Sequence, residues 1–451
     1  MSLERRRVSP TASSFARVLL VNGEPSSAPS GTGVTLGRLF EDWPRERLAQ
    51  IYTAASPHSL TGTIDYHVRT HDRQGLRLLT LPSDSAALSR RGSVSQNALP
   101  KSGRGVRFLA AVKSEARQWL DLIPYELPAD VEKEIVDFRP HLIYSCLGNI
   151  QISRLALRLA RLCRVPVIPH FMDDWISTQY ASRPDQVIHR ALLLRVVDSV
   201  LATAPLGLAI SEAMASEYSA RFGKPFHAFM NCIPISATAP SLPPLSSAPG
   251  LVYVGGLHLN RWRALCEIGI ALAAINREGI SGNLIIYAPP ADLAAYGDKL
   301  AESGIGIGGS LSQAEIPAAI AAADVLVYVE SFEPKTRRYT RLSISTKIPQ
   351  YAAAARPLFC YGPPEVASIR FVQENAFGLI AGSQDGSDLN EKLRRMLEDT
   401  GLRQNLAARA FAVARRDFNS NSVRQRFQAV LRSAASFQPL PLVVTRQMTI
   451  Q

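Results

Sequence analysis

The chain has 451 residues, of which 46% are hydrophobic and 20% are charged. This length is too great for one ordinary core and suits two domains of roughly 200 residues each, and the composition excludes a disordered chain. The formal net charge of +12 suits an anionic partner, such as a phosphorylated substrate or an acidic lipid surface, although a solvated basic surface without a special role is the alternative.

The cysteines and the apolar runs bear on the cellular compartment. The five cysteines lie far apart and form no CxxC pair, which argues against a disulfide framework or a zinc site and favours a cytoplasmic protein. Residues 1–15 are polar and basic, so we expect a disordered terminus and no signal peptide. No segment offers the run of about 18 apolar residues that a spanning helix needs, so a membrane contact would be peripheral.

The first half, residues 16–235, is predicted to form one α/β domain. An apolar strand at 17–22 leads into a glycine-bearing loop at 24–33 and then a helix that starts at Val34. Further strands are predicted at 48–52, 142–145, 165–170, 199–202 and 207–210, with a helix at 153–163. The alternation of strands and helices favours a parallel sheet that is covered on both faces, and residues 82–105 are predicted to be a mobile surface insertion.

The second half repeats this pattern after a linker at 236–250, which is rich in serine, proline and alanine. Strands are predicted at 251–254, 283–287, 324–329 and 357–361, and helices at 263–276 and 348–355. We place a second domain at 251–415, a C-terminal helix at 416–435 that crosses back to the first domain, and a tail at 436–451. The predicted fold class is α/β, with two doubly wound Rossmann-like domains that face each other across a cleft.

The most informative segment for chemistry runs from Asp324 to Pro364. A buried strand ends at Glu330, and Ser345, Thr346 and Lys347 stand at the start of a later helix. Ligands of open α/β sheets bind outside the carboxyl ends of the strands, where helix N-termini, hydroxyls and an ammonium group can hold phosphate. Glu330 would accept hydrogen bonds from sugar hydroxyls. The alternative is an ordinary helix cap in a charged loop.

This segment resembles the donor-binding segment of GT-B glycosyltransferases of family 4, which often reads K-x-x-E-Y-x-A-x-G-x-P. Lys347, Tyr351 and Pro357 stand at matching positions, whereas Gln350 replaces the second glutamate and Ala355 replaces the glycine. The resemblance implies that Gln350 contacts the ribose of a nucleotide. It also implies a GT-B fold and a transfer that retains the anomeric configuration.

Two glycine motifs extend the resemblance to other parts of the chain. Gly31 and Gly33 match the N-terminal glycine loop that approaches the donor phosphates, and Gly255 and Gly256 match the first turn of the donor domain. A basic residue after that turn neutralises the diphosphate in the family. Arg261 is the candidate here because a guanidinium can grip two phosphate oxygens, and Arg263 is a second candidate.

The acceptor side is predicted from an acidic and aromatic loop that follows a strand of the first half. His170 would bond a sugar hydroxyl or help the acceptor to lose its proton, and Asp173 and Asp174 would orient the acceptor. The two aspartates lack the D-x-D spacing of metal-using transferases, so we expect no metal, and capping of the next helix is the alternative role. We expect substitution of His170 or Asp174 to leave donor affinity unchanged, because donor and acceptor contacts belong to separate domains.

Together these features predict a glycosyltransferase that moves a sugar from a nucleoside-diphosphate-sugar donor to a glycan or lipid-linked acceptor. The resemblance implies retaining, metal-independent chemistry in bacterial-type surface polysaccharide synthesis, with the nucleotide sugar as co-substrate and no other cofactor. We expect a cytoplasmic protein with peripheral contact to the anionic inner membrane face and no nucleic-acid partner. The alternatives are a GT-B sugar-nucleotide epimerase and a non-catalytic glycan-binding or assembly protein on a degenerate transferase scaffold.

Overall fold

A computed structural model describes residues 15–54, 63–68, 122–181, 184–238, 240 and 249–437. The predicted disordered terminus up to Ser14, the predicted insertion at 82–105, most of the predicted linker and the tail beyond Phe437 lie outside these residues. Among the described residues, none of the helices combines the length and apolarity that crossing a bilayer requires.

Seven described strands of the first half form one parallel sheet in the order β3-β2-β1-β4-β5-β6-β7. The strands are β1 (Val18–Asn22), β2 (Leu48–Tyr52), β3 (Ile64–His67), β4 (Leu142–Ser145), β5 (Val167–Phe171), β6 (Gly207–Ala209) and β7 (Phe226–Ala228). The helices that accompany this sheet are Gly31–Leu39, Ala129–Phe138, Ile150–Cys163, Trp175–Thr178, Val187–Thr203 and Glu212–Phe222. Central strands such as β1 are apolar on both faces because helices cover both sides of the sheet.

Six described strands of the second half form another parallel sheet in the order β10-β9-β8-β11-β12-β13. The strands are β8 (Gly250–Val254), β9 (Asn283–Tyr287), β10 (Gly306–Gly309), β11 (Val325–Val329), β12 (Leu358–Tyr361) and β13 (Gly378–Ala381). The helices of this half are Arg261–Arg277, Pro290–Glu302, Ile316–Ala322, Pro334–Thr340, Lys347–Ala353, Ala367–Glu374, Gly386–Glu398 and Thr400–Val413. The two sheets have the strand order of doubly wound Rossmann-like domains, as the alternating pattern predicts.

The C-terminal helix Ser420–Ala435 packs against the first domain. Phe427 lies in the same buried cluster as Phe40 and Tyr144, and its ring centroid is 5.0 Å from that of Phe40. Arg424 of this helix donates a hydrogen bond to the carbonyl of Arg38 at 2.8 Å. The chain therefore passes from the second domain back to the first.

The strand predicted at 199–202 and the predicted start of the first helix both differ from the structure. Residues 199–202 were predicted as a strand, but they form the end of the helix Val187–Thr203, because Val196, Val197, Val200 and Leu201 place a buried stripe at helical spacing. The first helix starts at Gly31 and not at Val34, because the Ser30 side chain accepts a hydrogen bond from the amide of Gly33 at 3.1 Å and so caps it.

Candidate active site between the two domains

A buried ion pair marks the carboxyl end of the second sheet. Glu330 directly follows β11, and Arg261 is the first residue of the helix after β8. Arg261 Nη2 lies 3.5 Å from Glu330 Oε1, and both side chains are buried. Among the described residues, Glu330 Oε2 and Arg261 Nε are buried and have no hydrogen-bond partner. The pair therefore keeps an acceptor and a donor free for a ligand.

Lys347 brings a second cation to the same edge. Its ammonium donates a hydrogen bond to the Tyr253 hydroxyl at 2.7 Å and lies 4.2 Å from the centroid of that ring. Burial and then the nearby charge of Arg261 lower the pKa of Lys347 well below its ordinary value. A Cβ on Gly255 would lie 2.1 Å from Lys347 Cε, and the φ of 137° is one that other residues rarely adopt, so glycine suits this position. Lys347, Gly255 and Arg261 are thus brought together as the sequence predicts.

The loop between β8 and the Arg261 helix has an unusual backbone. Gly255 has a φ of 137°, and Leu259 and Asn260 both adopt left-handed conformations, with φ of 60° and 59°. Such conformations are costly for residues other than glycine and often occur at ligand-binding loops. Asp292 fixes the loop, because its Oδ2 accepts a hydrogen bond from the amide of Leu257 at 2.8 Å.

His258 adds a titratable group to this loop. A Cβ on Gly256 would lie 2.5 Å from His258 Nδ1, so glycine at 256 makes room for the imidazole. Burial, reinforced by the charges of Arg261 and Lys347, lowers the pKa of His258 to about 3. The imidazole is therefore neutral at physiological pH beside two cations.

Both departures from the family pattern lie in or just after the short helix Lys347–Ala353. Gln350 lies one turn after Lys347, and the structure shows no hydrogen bond to its side chain within the described residues. Ala355 has a φ of 53°, the left-handed conformation that favours glycine after a helix. The glycine of the family motif is thus suited to this backbone, and alanine here adopts the same backbone with a steric cost.

The remaining predicted donor residues have mainly backbone roles in the structure. Ser345 Oγ accepts a hydrogen bond from the amide of Lys347 at 3.4 Å, and the carbonyl of Thr346 accepts one from Asn231 at 3.3 Å. A Cβ on Gly31 would lie 3.8 Å from Thr346 Cγ2, so the first helix reaches the second domain here. Glycine is needed at position 33 for packing, because a Cβ there would lie 2.2 Å from the carbonyl oxygen of Ala28. The second basic candidate, Arg263, is exposed and its guanidinium lies over Trp262, 5.2 Å from the ring centroid.

His170, predicted on the acceptor side, is fully buried within the first domain. It lies on β5 and shares a hydrogen bond with the Tyr144 hydroxyl through Nδ1. Burial lowers the pKa of His170 to about 4, although the backbone of Ala209 and Phe229 raises it. The side chain belongs to the face of the sheet that packs against the C-terminal helix.

Asp173 and Asp174 lie at the junction of the domains, and both contact the second one. Asp173 accepts a hydrogen bond from Ser343 at 2.7 Å, and Asp174 pairs with Arg341 at 3.1 Å. Burial raises the pKa of Asp173 to about 6, against the hydrogen bonds from Ser343 and Tyr339 and the charge of Arg261, which lower it. Asp174 precedes the helix Trp175–Thr178, but its side chain makes no capping hydrogen bond to it. The proposed alternative of a helix cap is therefore wrong for Asp174.

The contact between Asp174 and Arg341 also overturns the expected separation of the two groups of residues. Substitution of Asp174 was expected to leave donor affinity unchanged because donor and acceptor contacts would belong to separate domains. In the structure Asp174 contacts Arg341 of the second domain, so a substitution of Asp174 removes a contact of that domain.

Several residues of the site were missed by sequence reasoning. Tyr253 lies in the apolar strand β8, where its sequence context is that of a core residue. Its hydroxyl nevertheless accepts a hydrogen bond from Lys347. Asn231 is 1% exposed and lies in the segment between the domains. Arg341 lies in the charged loop between Glu330 and Lys347, where its sequence context is that of a surface residue. No local signal separates these side chains from core or surface residues, because their partners lie far away in the sequence.

No group of three or more histidine, cysteine, aspartate or glutamate side chains that could hold a metal ion occurs in the part of the chain that the structure describes. The charged groups that converge at the cleft are instead Arg261, Lys347, Glu330 and Asp173. The second domain therefore contributes two cations and one carboxylate to this junction, and the first domain contributes one carboxylate.

Two Rossmann-like domains, with a C-terminal helix that returns from the second to the first, define the GT-B fold. Solved structures share this architecture. HepE from Anabaena, in complex with UDP and glucose, is 16% identical and superposes with a TM-score of 0.59 over 93% of this chain and 100% of that one.

Two synthases give the same result. Sucrose-phosphate synthase from Thermosynechococcus elongatus is 14% identical, with a TM-score of 0.59 over 92% of this chain and 98% of that one. The UDP-forming α,α-trehalose-phosphate synthase from Burkholderia xenovorans is 14% identical, with a TM-score of 0.59 over 94% and 100% of the two chains. No protein-family profile and no curated protein matches the sequence. The predicted GT-B fold is confirmed.

Proposed function

We propose that the protein is a glycosyltransferase whose second domain holds a nucleoside-diphosphate sugar. The observation that carries this proposal is the convergence of Arg261 and Lys347 with Glu330 at the carboxyl end of the second sheet. Two cations with one paired carboxylate suit a diphosphate, and the free Glu330 Oε2 suits a sugar hydroxyl. A buried cation without a carboxylate of its own is costly unless an anion binds there.

The chemistry requires stabilisation of a leaving diphosphate. The bond between the anomeric carbon and the diphosphate oxygen breaks, a bond to an acceptor oxygen forms, and the acceptor proton passes to an oxygen of the leaving diphosphate. Negative charge grows on the diphosphate during this step, and Arg261 and Lys347 stabilise it by their position. Retention of the anomeric configuration belongs to the proposal as what the resemblance to family 4 implies. Independence of metal ions belongs to it because these two cations take the role that a metal has elsewhere.

UDP is the first nucleotide to test. The solved structures of HepE contain UDP with glucose, UDP alone or UDP-glucose, and those ligands belong to a chain with the same fold. In this proposal Gln350 accepts a hydrogen bond from the ribose, one turn along the helix from Lys347. An uncharged amide makes this bond weaker than a carboxylate would.

The acceptor side of the proposal is a glycan or lipid-linked chain in surface polysaccharide synthesis, at the inner face of an anionic membrane. The net charge of +12 supports a peripheral contact with acidic lipids. Flotation with anionic and neutral vesicles tests this part. We expect recovery with anionic vesicles that falls as salt rises, because salt screens surface attraction within about 10 Å at 0.1 M. Equal recovery with both vesicle types, or recovery with neither, would contradict the membrane contact and leave the transferase proposal intact.

The central experiment is a thermal-unfolding screen with a panel of nucleotide sugars and free nucleoside diphosphates. We expect one nucleotide class to raise the midpoint in proportion to the logarithm of its concentration, because ligand binding to the native state stabilises it. Product analysis with the stabilising donor then separates the functions. Sugar transfer to an added acceptor, with and without a chelator, supports the proposal. Isomerised donor without acceptor would favour an epimerase, and binding without any product would favour a non-catalytic protein.

A further inference from the structure

A short segment of the second domain is held by the first domain. We call Tyr339–Ser343 the docking segment. It lies in the chain between Glu330 and Lys347, which are both part of the proposed donor site. Its Leu342 side chain is 3% exposed and belongs to the core cluster of the first domain, and the carbonyl of Leu342 accepts a hydrogen bond from Ser211 at 2.5 Å. The segment is thus seated in the first domain by both apolar and polar contacts.

Arg341 makes the charged contacts of the docking segment. Its guanidinium donates two hydrogen bonds to the Glu217 carboxylate, at 2.5 and 2.6 Å, and one to Asp174 at 3.1 Å. Asp174 is completely buried and also accepts a hydrogen bond from Tyr218 at 2.7 Å. The Arg341 and Glu217 side chains are partly exposed, so the costly loss is that of the bond to Asp174, which would leave a buried carboxylate with fewer bonds.

Asp173 completes the contact. Its two carboxylate oxygens accept hydrogen bonds from Ser343 at 2.7 Å and from Tyr339 at 3.2 Å, and both donors belong to the docking segment. The neighbouring aspartates therefore both bond to the docking segment, Asp173 through Tyr339 and Ser343 and Asp174 through Arg341. Such a set of bonds suits a positioning role, because it ties both carboxylates to one segment of the other domain.

A chain of hydrogen bonds connects the docking segment to the donor site. The carbonyl of Ser343 accepts a bond from the Ser368 hydroxyl at 3.0 Å, and the same hydroxyl accepts one from the amide of Ser345 at 3.1 Å. The amide of Ala367 also donates to the carbonyl of Arg341 at 2.9 Å. The helix that carries Lys347 starts two residues after Ser345. A shift of the docking segment would therefore move Lys347 relative to Arg261.

We propose that Asp173, Asp174 and Glu217 are positioning residues that hold the docking segment and thereby fix Lys347 for the donor diphosphate. This inference rests on the proposed function and deepens it, because it connects the acceptor-side domain with donor affinity. The two aspartates act through the docking segment and Lys347, and have no contact with the donor themselves.

The test measures the affinity for UDP, or for the nucleoside diphosphate that the screen selects, by calorimetry. Arg341→Gln, Asp174→Asn and Ser343→Ala are each expected to weaken binding by roughly fivefold or more, with little effect on the free nucleoside. The combination of Arg341→Gln with Asp174→Asn should weaken binding by less than the product of the two single effects, because both remove the same contact. Ser343→Ala is the mildest variant and keeps the measurement informative if a charge variant does not fold.

Arg337→Gln is the matched control. Arg337 lies two residues before the docking segment, on the helix Pro334–Thr340, and it pairs with the exposed Glu365 of its own domain at 2.9 Å. Its loss should leave the affinity unchanged. Arg341→Lys should restore part of the affinity, because it keeps the charge without the two-bond geometry.

The outcomes separate the two levels of the proposal. If the wild-type protein binds nucleoside diphosphate and the docking-segment variants bind it equally well while losing turnover, the positioning role is overturned and Asp173 and Asp174 act on the acceptor. If the wild-type protein binds no member of the panel, the proposed function fails and this inference fails with it. Weaker binding in the three variants and unchanged binding in the control support the inference.

Discussion

Replacement of Lys347 by methionine separates a functional from a structural role most clearly. Methionine keeps the apolar stem and removes the ammonium. The native ammonium donates a hydrogen bond to the Tyr253 hydroxyl at 2.7 Å. Burial and the charge of Arg261 both disfavour the charged form of Lys347. We therefore expect loss of that bond to cost the free protein at most about 1 kcal/mol of stability. Removal of the buried charge should offset part or all of this loss.

Ligand binding should respond in the opposite way. A charge-assisted hydrogen bond to phosphate contributes about 1.5–3 kcal/mol, so Lys347→Met should weaken UDP binding roughly 10- to 150-fold and uridine binding much less. Arg261→Met should also weaken UDP binding by this amount, but it should cost about 3–5 kcal/mol of stability, because Glu330 then stays buried without its partner at 3.5 Å.

Calorimetric titration with UDP and uridine, together with urea unfolding of the free proteins, provides all of these quantities. Equal losses of UDP and uridine affinity would refute the assignment of Lys347 to the phosphates. A large loss of stability in Lys347→Met with unchanged UDP affinity would show that the lysine is structural. The contrast between the two methionine variants is the specific signature of the proposed diphosphate site.

Three further predictions concern single positions. Gln350→Glu should preserve or improve donor affinity in the same titration, with Gln373→Glu on a nearby helix as the control for added charge, and a tenfold loss would mean that Gln350 is not at the ribose. Ala355→Gly should leave stability unchanged or raise it by up to about 1 kcal/mol in urea unfolding, because Ala355 has a φ of 53°, whereas Ala352→Gly inside the preceding helix should lose about 1 kcal/mol or more. The folded-state pKa of His170 is about 4, below its ordinary value of about 6.5, so the unfolded chain takes up the proton first and up to about 3 kcal/mol of stability is lost as the pH falls between these values. His170→Asn should flatten this part of the pH profile and the exposed His227→Asn should not; an unchanged slope in His170→Asn would contradict the assignment.

The sequence alone predicted the two-domain α/β architecture and the grouping of Glu330 and Lys347 at one edge of the second sheet. Apolar runs such as Val18–Asn22 predict buried parallel strands, because a strand that is covered on both faces needs apolar side chains in succession. Glu330 and Lys347 were predicted from their places at a strand end and a helix start. Sheet geometry brings such positions to one edge in any doubly wound domain, so no knowledge of distant contacts is needed.

The tertiary structure alone decided what the first domain contributes. His170 follows the same strand-end rule, yet strand alternation turns its side chain into the core beside Tyr144. Asp173 and Asp174 face Ser343 and Arg341, which lie 170 and 167 residues away in the chain. The sequence determined where polar groups stand along each strand and helix, because that depends on local periodicity. Only the packing of one domain on the other decided which of these groups meet, because their partners are set by the relative placement of two separately folded sheets.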